Sequence, residues 1–155
     1  MRALSLLAGA AMIVSLFLPW FAASTAGAGF SPWEMLRGIG PDPAAIEDFL
    51  LGAPPLLLAF LATFVLAALF LFLAIVGLPL RILALAAGGL AAATLGWGLW
   101  RAREGALDIG LPLPGSLDPG QLFAFARDTL GVGAWAWGGG ALVLLLAGIL
   151  GFGDD

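Results

Sequence analysis

The chain contains no cysteine, histidine, tyrosine, lysine or asparagine, and these gaps remove most familiar protein chemistry. Without cysteine or histidine there is no ordinary haem, iron–sulfur, copper or structural zinc site. No disulfide can form. No Ser-His or Cys-His pair can activate a nucleophile, and no lysine can form a Schiff base or a Ser-Lys dyad. Charge is scarce as well. Charged residues make up 10% of the chain, where a soluble domain carries roughly 25%. The net charge of −4, with scattered arginines as the only bases, gives no footprint for nucleic acid.

What is present is apolar surface. Hydrophobic residues make up 62% of the chain, more than water can cover, so lipid is the expected solvent. At 155 residues there is room for one membrane domain and no separate soluble one. Four stretches are long enough to span, approximately 3–23, 56–76, 82–100 and 134–152, and none has a charge in its interior. About 20 residues rising ~1.5 Å each cross a core of ~30 Å. With no water to satisfy the backbone, each is expected to be helical, and no alternation of a β-barrel kind occurs. The expected fold is an all-α, four-helix integral membrane bundle.

Met1-Arg2, an apolar run and Ala22-Ala23-Ser24 together look like a secretory signal with a small-residue cleavage site. The apolar run exceeds the ~7–15 residues of a cleaved signal, and Pro19-Trp20 closes it like an interfacial end, which favours an uncleaved first span. With Arg2 ahead of that span and no further positive charge until Arg37, both termini are expected in the cytoplasm. A bare count of arginines in the loops favours the reverse orientation. In either case all six tryptophans fall on one side: Trp20, Trp33, Trp97, Trp100, Trp135 and Trp137. Boundary seating alone distributes tryptophan to both sides.

The two large loops share that side. In the first, Ser31-Pro32-Trp33-Glu34 has the form of a capping box opening a helix over about 32–37, stopped at Gly38. Asp42-Pro43 opens a second, about 43–51. In the last loop Leu111-Pro112-Leu113-Pro114 is extended, and Asp118-Pro119 opens an apolar-striped helix over about 119–130. The two Asp-Pro openings, each leading into a span, hint at a parallel repeat of span, loop helix and span.

Packing signals concentrate in the third span. Ala84, Gly88, Ala92 and Gly96 recur every four residues, a small-residue stripe that admits another backbone. Gly88, Ala92 and Gly96 are therefore candidate interface residues, within the bundle or toward another subunit. Trp33, Trp135 and Trp137 are candidate partner-facing or loop-organising residues, with Trp33 standing mid-loop. Trp20, Trp97, Trp100 and Arg101 read as interfacial anchors. The pairs Trp33/Arg37 and Trp97/Arg101, four apart, also have the spacing for a guanidinium over an indole. The acidic first loop, with Glu34, Asp42, Glu47 and Asp48, lacks the alternating oxygen ligands of a calcium site and reads as a solvated surface.

Leu18-Pro19-Trp20-Phe21, followed by Gly29-Phe30-Ser31-Pro32-Trp33-Glu34, resembles a broad group of small bacterial four-span membrane proteins of unassigned function. The likeness covers the first 40 residues or so and the topology, and it implies a bacterial inner-membrane location. In arrangement alone the chain is similar to claudin-like tetraspans, without their paired loop cysteines. Neither resemblance supplies a catalytic residue. The expectation is a non-catalytic accessory subunit without cofactor or metal. Its partners would be the bilayer and other membrane subunits or a second copy. The alternative is a lipid- or small-solute-handling channel or carrier with an uncharged cavity.

Overall fold

Seven helices account for the regular structure in the computed structural model, which describes residues 2–22, 29–78, 81–108 and 119–151. They are α1 (Arg2–Ser15), α2 (Pro32–Ile39), α3 (Pro43–Gly52), α4 (Pro55–Ile75), α5 (Arg81–Asp108), α6 (Pro119–Thr129) and α7 (Val132–Leu150). Three of them, α4, α5 and α7, contain stretches long and apolar enough to cross a membrane. Their outer faces carry Val65, Leu69, Phe72, Leu142, Leu146 and Ile149, all exposed and all suited to lipid.

The first apolar segment departs from expectation. One helix over 3–23 is expected, but α1 ends at Ser15, and at ~1.5 Å per residue its 14 residues rise only ~21 Å. Pro19 is the physical cause: it lacks an N–H and disfavours helical geometry at Leu18. The exit tightens into three-residue hydrogen bonds, Leu16 N–H to Ile13, Phe17 to Val14 and Leu18 to Ser15. Ser15 Oγ donates to the Met12 carbonyl at 2.5 Å within the same last turn. Ala23, the expected end of that span, and Phe152, the end of the last, lie outside the described residues.

Helices α1, α4, α5 and α7 form a closed ring in which α7 packs on α1 and α5, and α4 packs on the same two. Their shared core holds Met12, Phe64, Phe70, Trp137 and Leu144 amid Ala8, Ala67, Ala84, Ala87, Ala91 and Ala141. So many alanines set the helices close together, as expected where packing replaces hydrophobic drive. Glycines on two helices mark the tightest crossings. A Cβ built on Gly88 of α5 meets the Ala141 carbonyl oxygen and Leu145 nitrogen of α7 at 2.6 Å. One built on Gly140 of α7 meets the Ala8 oxygen of α1 at 2.7 Å.

The small-residue stripe of α5 divides between two faces. Ala84 and Gly88 are buried, but Ala92 and Gly96 face outward, and the buried line runs Ala84, Ala87, Gly88, Ala91 and Thr94. A step of four residues overshoots a 3.6-residue turn by roughly 40°, so a four-residue repeat winds off the contact line within two steps. Helix α5 also continues beyond Trp100 to Asp108, since no proline intervenes and the strong helix formers around the lone Gly105 carry the helix through it.

Turn chemistry follows the chain closely. The α4–α5 hairpin opens with Gly77 at φ 94°, whose N–H donates to Ala74, while Leu78 N–H donates to Leu73 at 2.8 Å. That pair of bonds is a Schellman motif, and its left-handed residue is a glycine. Helix α2 is capped by Ser31 Oγ, which accepts from Glu34 N–H at 3.4 Å. Among the described residues the box closes on that side only. The left-handed stop falls at Gly40 (φ 79°) in place of Gly38, so α2 runs on to Ile39. Asp42 Oδ1 accepts from Ala44 N–H at 3.2 Å and opens α3, none of whose residues is buried.

Arg81, the first residue of α5, has a structural task. Its Nε donates to the Gly148 carbonyl and its guanidinium to Ile149, the open carbonyls at the end of α7. A cation on a helix C-terminus offsets the dipole and satisfies groups that lack a partner within the helix. Arg81→Gln should therefore fray the last turn of α7 at a cost of about 1 kcal/mol. Hydrogen exchange at the Leu150 and Gly151 amides reads it; unchanged protection would mean that the turn holds without Arg81.

Candidate functional site

The exit of α1, the start of α4, the outer part of α5 and the start of α7 meet at one end of the ring, and the aromatic residues gather there. Trp20 is the pivot. Its backbone N–H donates to Phe30 at 2.9 Å, its carbonyl accepts from Gly131 at 2.8 Å, and its Nε1 donates to the Ser15 carbonyl at 2.8 Å. Its ring stands edge-on to Phe60 at 5.0 Å and 5.5 Å from Trp137. Phe60 in turn contacts Phe64 at 5.1 Å and Trp137 at 5.4 Å. Such edge and tilted pairs contribute roughly 0.5–1.5 kcal/mol each beyond area burial.

Trp137 ties α7 across the ring to α4. It is 3% exposed, and its Nε1 donates to Thr63 Oγ1 at 3.0 Å. Thr63 Oγ1 passes its own proton to the Phe60 carbonyl at 2.6 Å. Every buried polar side-chain atom among the described residues has a partner. The membrane-depth hydroxyls are thus engaged by the fold, the usual fate of serine and threonine in apolar helices.

Above this knot the chain exits form a plate. Trp33 N–H donates to Leu16, Ala22 N–H to Thr129 and Gly133 N–H to Pro19, with Phe21 and Leu130 paired as an isolated antiparallel bridge. Gly131 and Gly133 permit the approach: a Cβ on Gly133 meets Trp20 Cδ1 at 2.6 Å, and one on Gly131 meets the Pro19 oxygen at 2.5 Å. The non-helical stretch 16–22 is thereby satisfied by other segments, the condition on which irregular backbone is tolerated in lipid.

The tryptophans divide into two sets on this frame. Trp20 and Trp137 turn inward. Trp33, Trp97, Trp100 and Trp135 stay exposed, at 41%, 42%, 59% and 43%. Trp135 and Trp137, grouped together as candidate partner-facing or loop-organising residues, point in different directions because two residues on a helix are about 200° apart. Trp135 packs edge-on to Phe123 at 5.9 Å, and Trp33 lies on Phe17 at 5.1 Å. Trp33 and Arg37 jointly line a surface depression of about 370 Å³ with Leu36, Gly40 and Pro41. Of the small-residue candidates, Gly88 lies in the α5–α7 crossing, while Ala92 and Gly96 look outward.

Beside the knot, α4 and α5 part to leave a groove of about 510 Å³, lined by Leu56, Leu57, Phe60, Leu95, Leu99 and Trp137 among others. Thr94 contributes the one hydroxyl, and it is already bonded to the Leu90 carbonyl at 2.7 Å. Sequence reasoning did not pair Thr63 with Trp137, single out Phe60 or locate the groove. The signals for the first two were there: Thr63 is the lone polar side chain of its span, and Phe60 and Phe64 share a helix face. The groove depends on how far two helices splay, which no local pattern records. Among the described residues no three carboxylates gather as a metal site. Comparison with known proteins finds no matching family model, no matching curated protein and no matching solved structure.

Proposed function

We propose that this chain is a non-catalytic accessory subunit of a larger bacterial inner-membrane assembly, docking through its aromatic end. It crosses the bilayer four times: α4, α5 and α7 as complete spans, and α1 continued by the bonded stretch 16–22. Both termini lie in the cytoplasm, and the aromatic end lies outside. The observation that carries the reading is the hydrogen-bonded plate around Trp20, which holds Trp33 and Trp135 outward on fixed backbone. A flexible loop would be enough to anchor in lipid. Rigidly presented, half-exposed tryptophan beside arginine is the composition of an interface anchor.

The plate also organises the bundle end, so the docking role needs a mutation that spares it. Trp33→Ala removes an outward ring while leaving its backbone bond to Leu16 in place. The expected result is loss of ~2 kcal/mol of association, a ~30-fold weaker complex. Blue-native migration of gently solubilised membranes reads this directly. Val76→Ala, exposed at the opposite end, serves as the control. Wild-type chain migrating alone, or an assembly indifferent to Trp33→Ala, would defeat the proposal.

A further inference from the structure

The groove between α4 and α5 has a chemistry that selects its occupant. Its volume of about 510 Å³ falls within the ~300–1,000 Å³ of small-ligand sites. Its walls are leucine, phenylalanine, tryptophan, proline and glycine. The three polar groups that reach it are already engaged: Trp20 Nε1 with Ser15, Trp137 Nε1 with Thr63, and Thr94 Oγ1 with Leu90. A polar solute entering here would lose its hydration and find no donor, which is unfavourable for every group left unpaired. A saturated hydrocarbon chain makes no such demand.

The mouth carries the complementary charge. Thr94, Gly98 and Arg101 follow one another at four and three residues along α5, so Arg101 lies on the groove's own face, one turn outward of Gly98. Helical side chains lean toward the N-terminus, which tips Arg101 back over the opening. The side chain is exposed. Trp97 and Trp100 on the same turns seat this level at a membrane boundary, where headgroups begin.

We propose that the groove holds one acyl chain of an anionic phospholipid from the surrounding bilayer, with Arg101 binding its phosphate. The inference rests on the membrane reading above but not on the docking role. A guanidinium matches phosphate with two parallel N–H donors, and the apolar trough takes the tail that follows.

The test uses the full chain reconstituted in phosphatidylcholine vesicles and its own tryptophan fluorescence. Phosphatidylglycerol or phosphatidylcholine with brominated acyl chains is then added as quencher. The site predicts that phosphatidylglycerol quenches at about fivefold lower mole fraction, the effect of one arginine on an anionic lipid. Arg101→Gln should bring the two lipids level. Gly98→Leu fills the trough without a clash, its Cβ position being 4.0 Å from the nearest atom, Leu56 Cδ2, and should remove the phosphatidylglycerol preference. Gly96→Leu, whose Cβ meets nothing within 4 Å, should keep it. Equal quenching of wild type by both lipids overturns the site, as does a preference that survives Gly98→Leu or Arg101→Gln. If neither lipid quenches at all, the chain is not in the bilayer, and the membrane reading fails with it.

Discussion

Gly88→Leu should destabilise the fold by about 3 kcal/mol or more, at or beyond the upper end of overpacking effects. Gly96→Leu, on the same helix, should stay within about 0.5 kcal/mol. At Gly88 the added carbon meets backbone, the Ala141 oxygen and the Leu145 nitrogen, at 2.6 Å, and helix backbone cannot swing aside as a side chain can. Helices α5 and α7 must separate, and the loss spreads to Ala84, Ala87, Ala91 and Leu144 along the same seam. Gly96 has nothing within 4 Å. Thermal unfolding of the two variants in the same detergent, followed by helical circular dichroism, reads the contrast. Equal effects would mean that close approach of α5 and α7 is not what holds the core.

Trp137→Ala should cost about 3 kcal/mol, the lower end of large-to-small aromatic truncation. The lower end applies because, within lipid, exposing apolar surface carries little penalty and the loss is mainly of packing. The indole touches Trp20 and Phe60 and donates to Thr63, so its removal loosens three segments at once. Trp137→Phe keeps much of the ring packing and loses the hydrogen bond, and should cost about 1 kcal/mol. Trp97→Ala, an exposed ring on α5, should change unfolding little. Unfolding temperature should therefore be lowest for Trp137→Ala, higher for Trp137→Phe and highest for Trp97→Ala. If Trp97→Ala matched Trp137→Ala, the knot would have no special weight and all six tryptophans would be alike.

The all-helical class was legible from composition, because an apolar stretch in lipid has one way to satisfy its backbone. Caps were legible for the same local reason: Ser31-Pro32 and Asp42-Pro43 carry their geometry in two residues. Where local rules compete, the reading slipped. Pro19 ended α1 early despite an uninterrupted apolar run, since hydropathy records solvent preference and not backbone donors. The four-residue stripe of α5 drifts against 3.6-residue turns, so spacing alone did not show that Ala84 and Gly88 face the bundle while Ala92 and Gly96 face outward. Trp137 and Trp135 were grouped by side of the membrane, although their helix turned one to the core and the other outward. Thr63's bond to Trp137 joins residues 74 apart, and Arg81's bonds to α7 span 67 and 68. No local pattern shows such pairings.

The central claim is that the chain crosses the bilayer four times with its aromatic end outside. Because it has no cysteine, single cysteines can be placed at will and labelled in intact cells with an impermeant thiol reagent. Ala3, Arg37, Leu78 and Asp128 are exposed positions distributed between the two ends. Arg37→Cys and Asp128→Cys should label in intact cells, whereas Ala3→Cys and Leu78→Cys should label only after permeabilisation. Labelling of Ala3→Cys together with Arg37→Cys would show that α1 and its continuation do not cross, and the four-span account would fall.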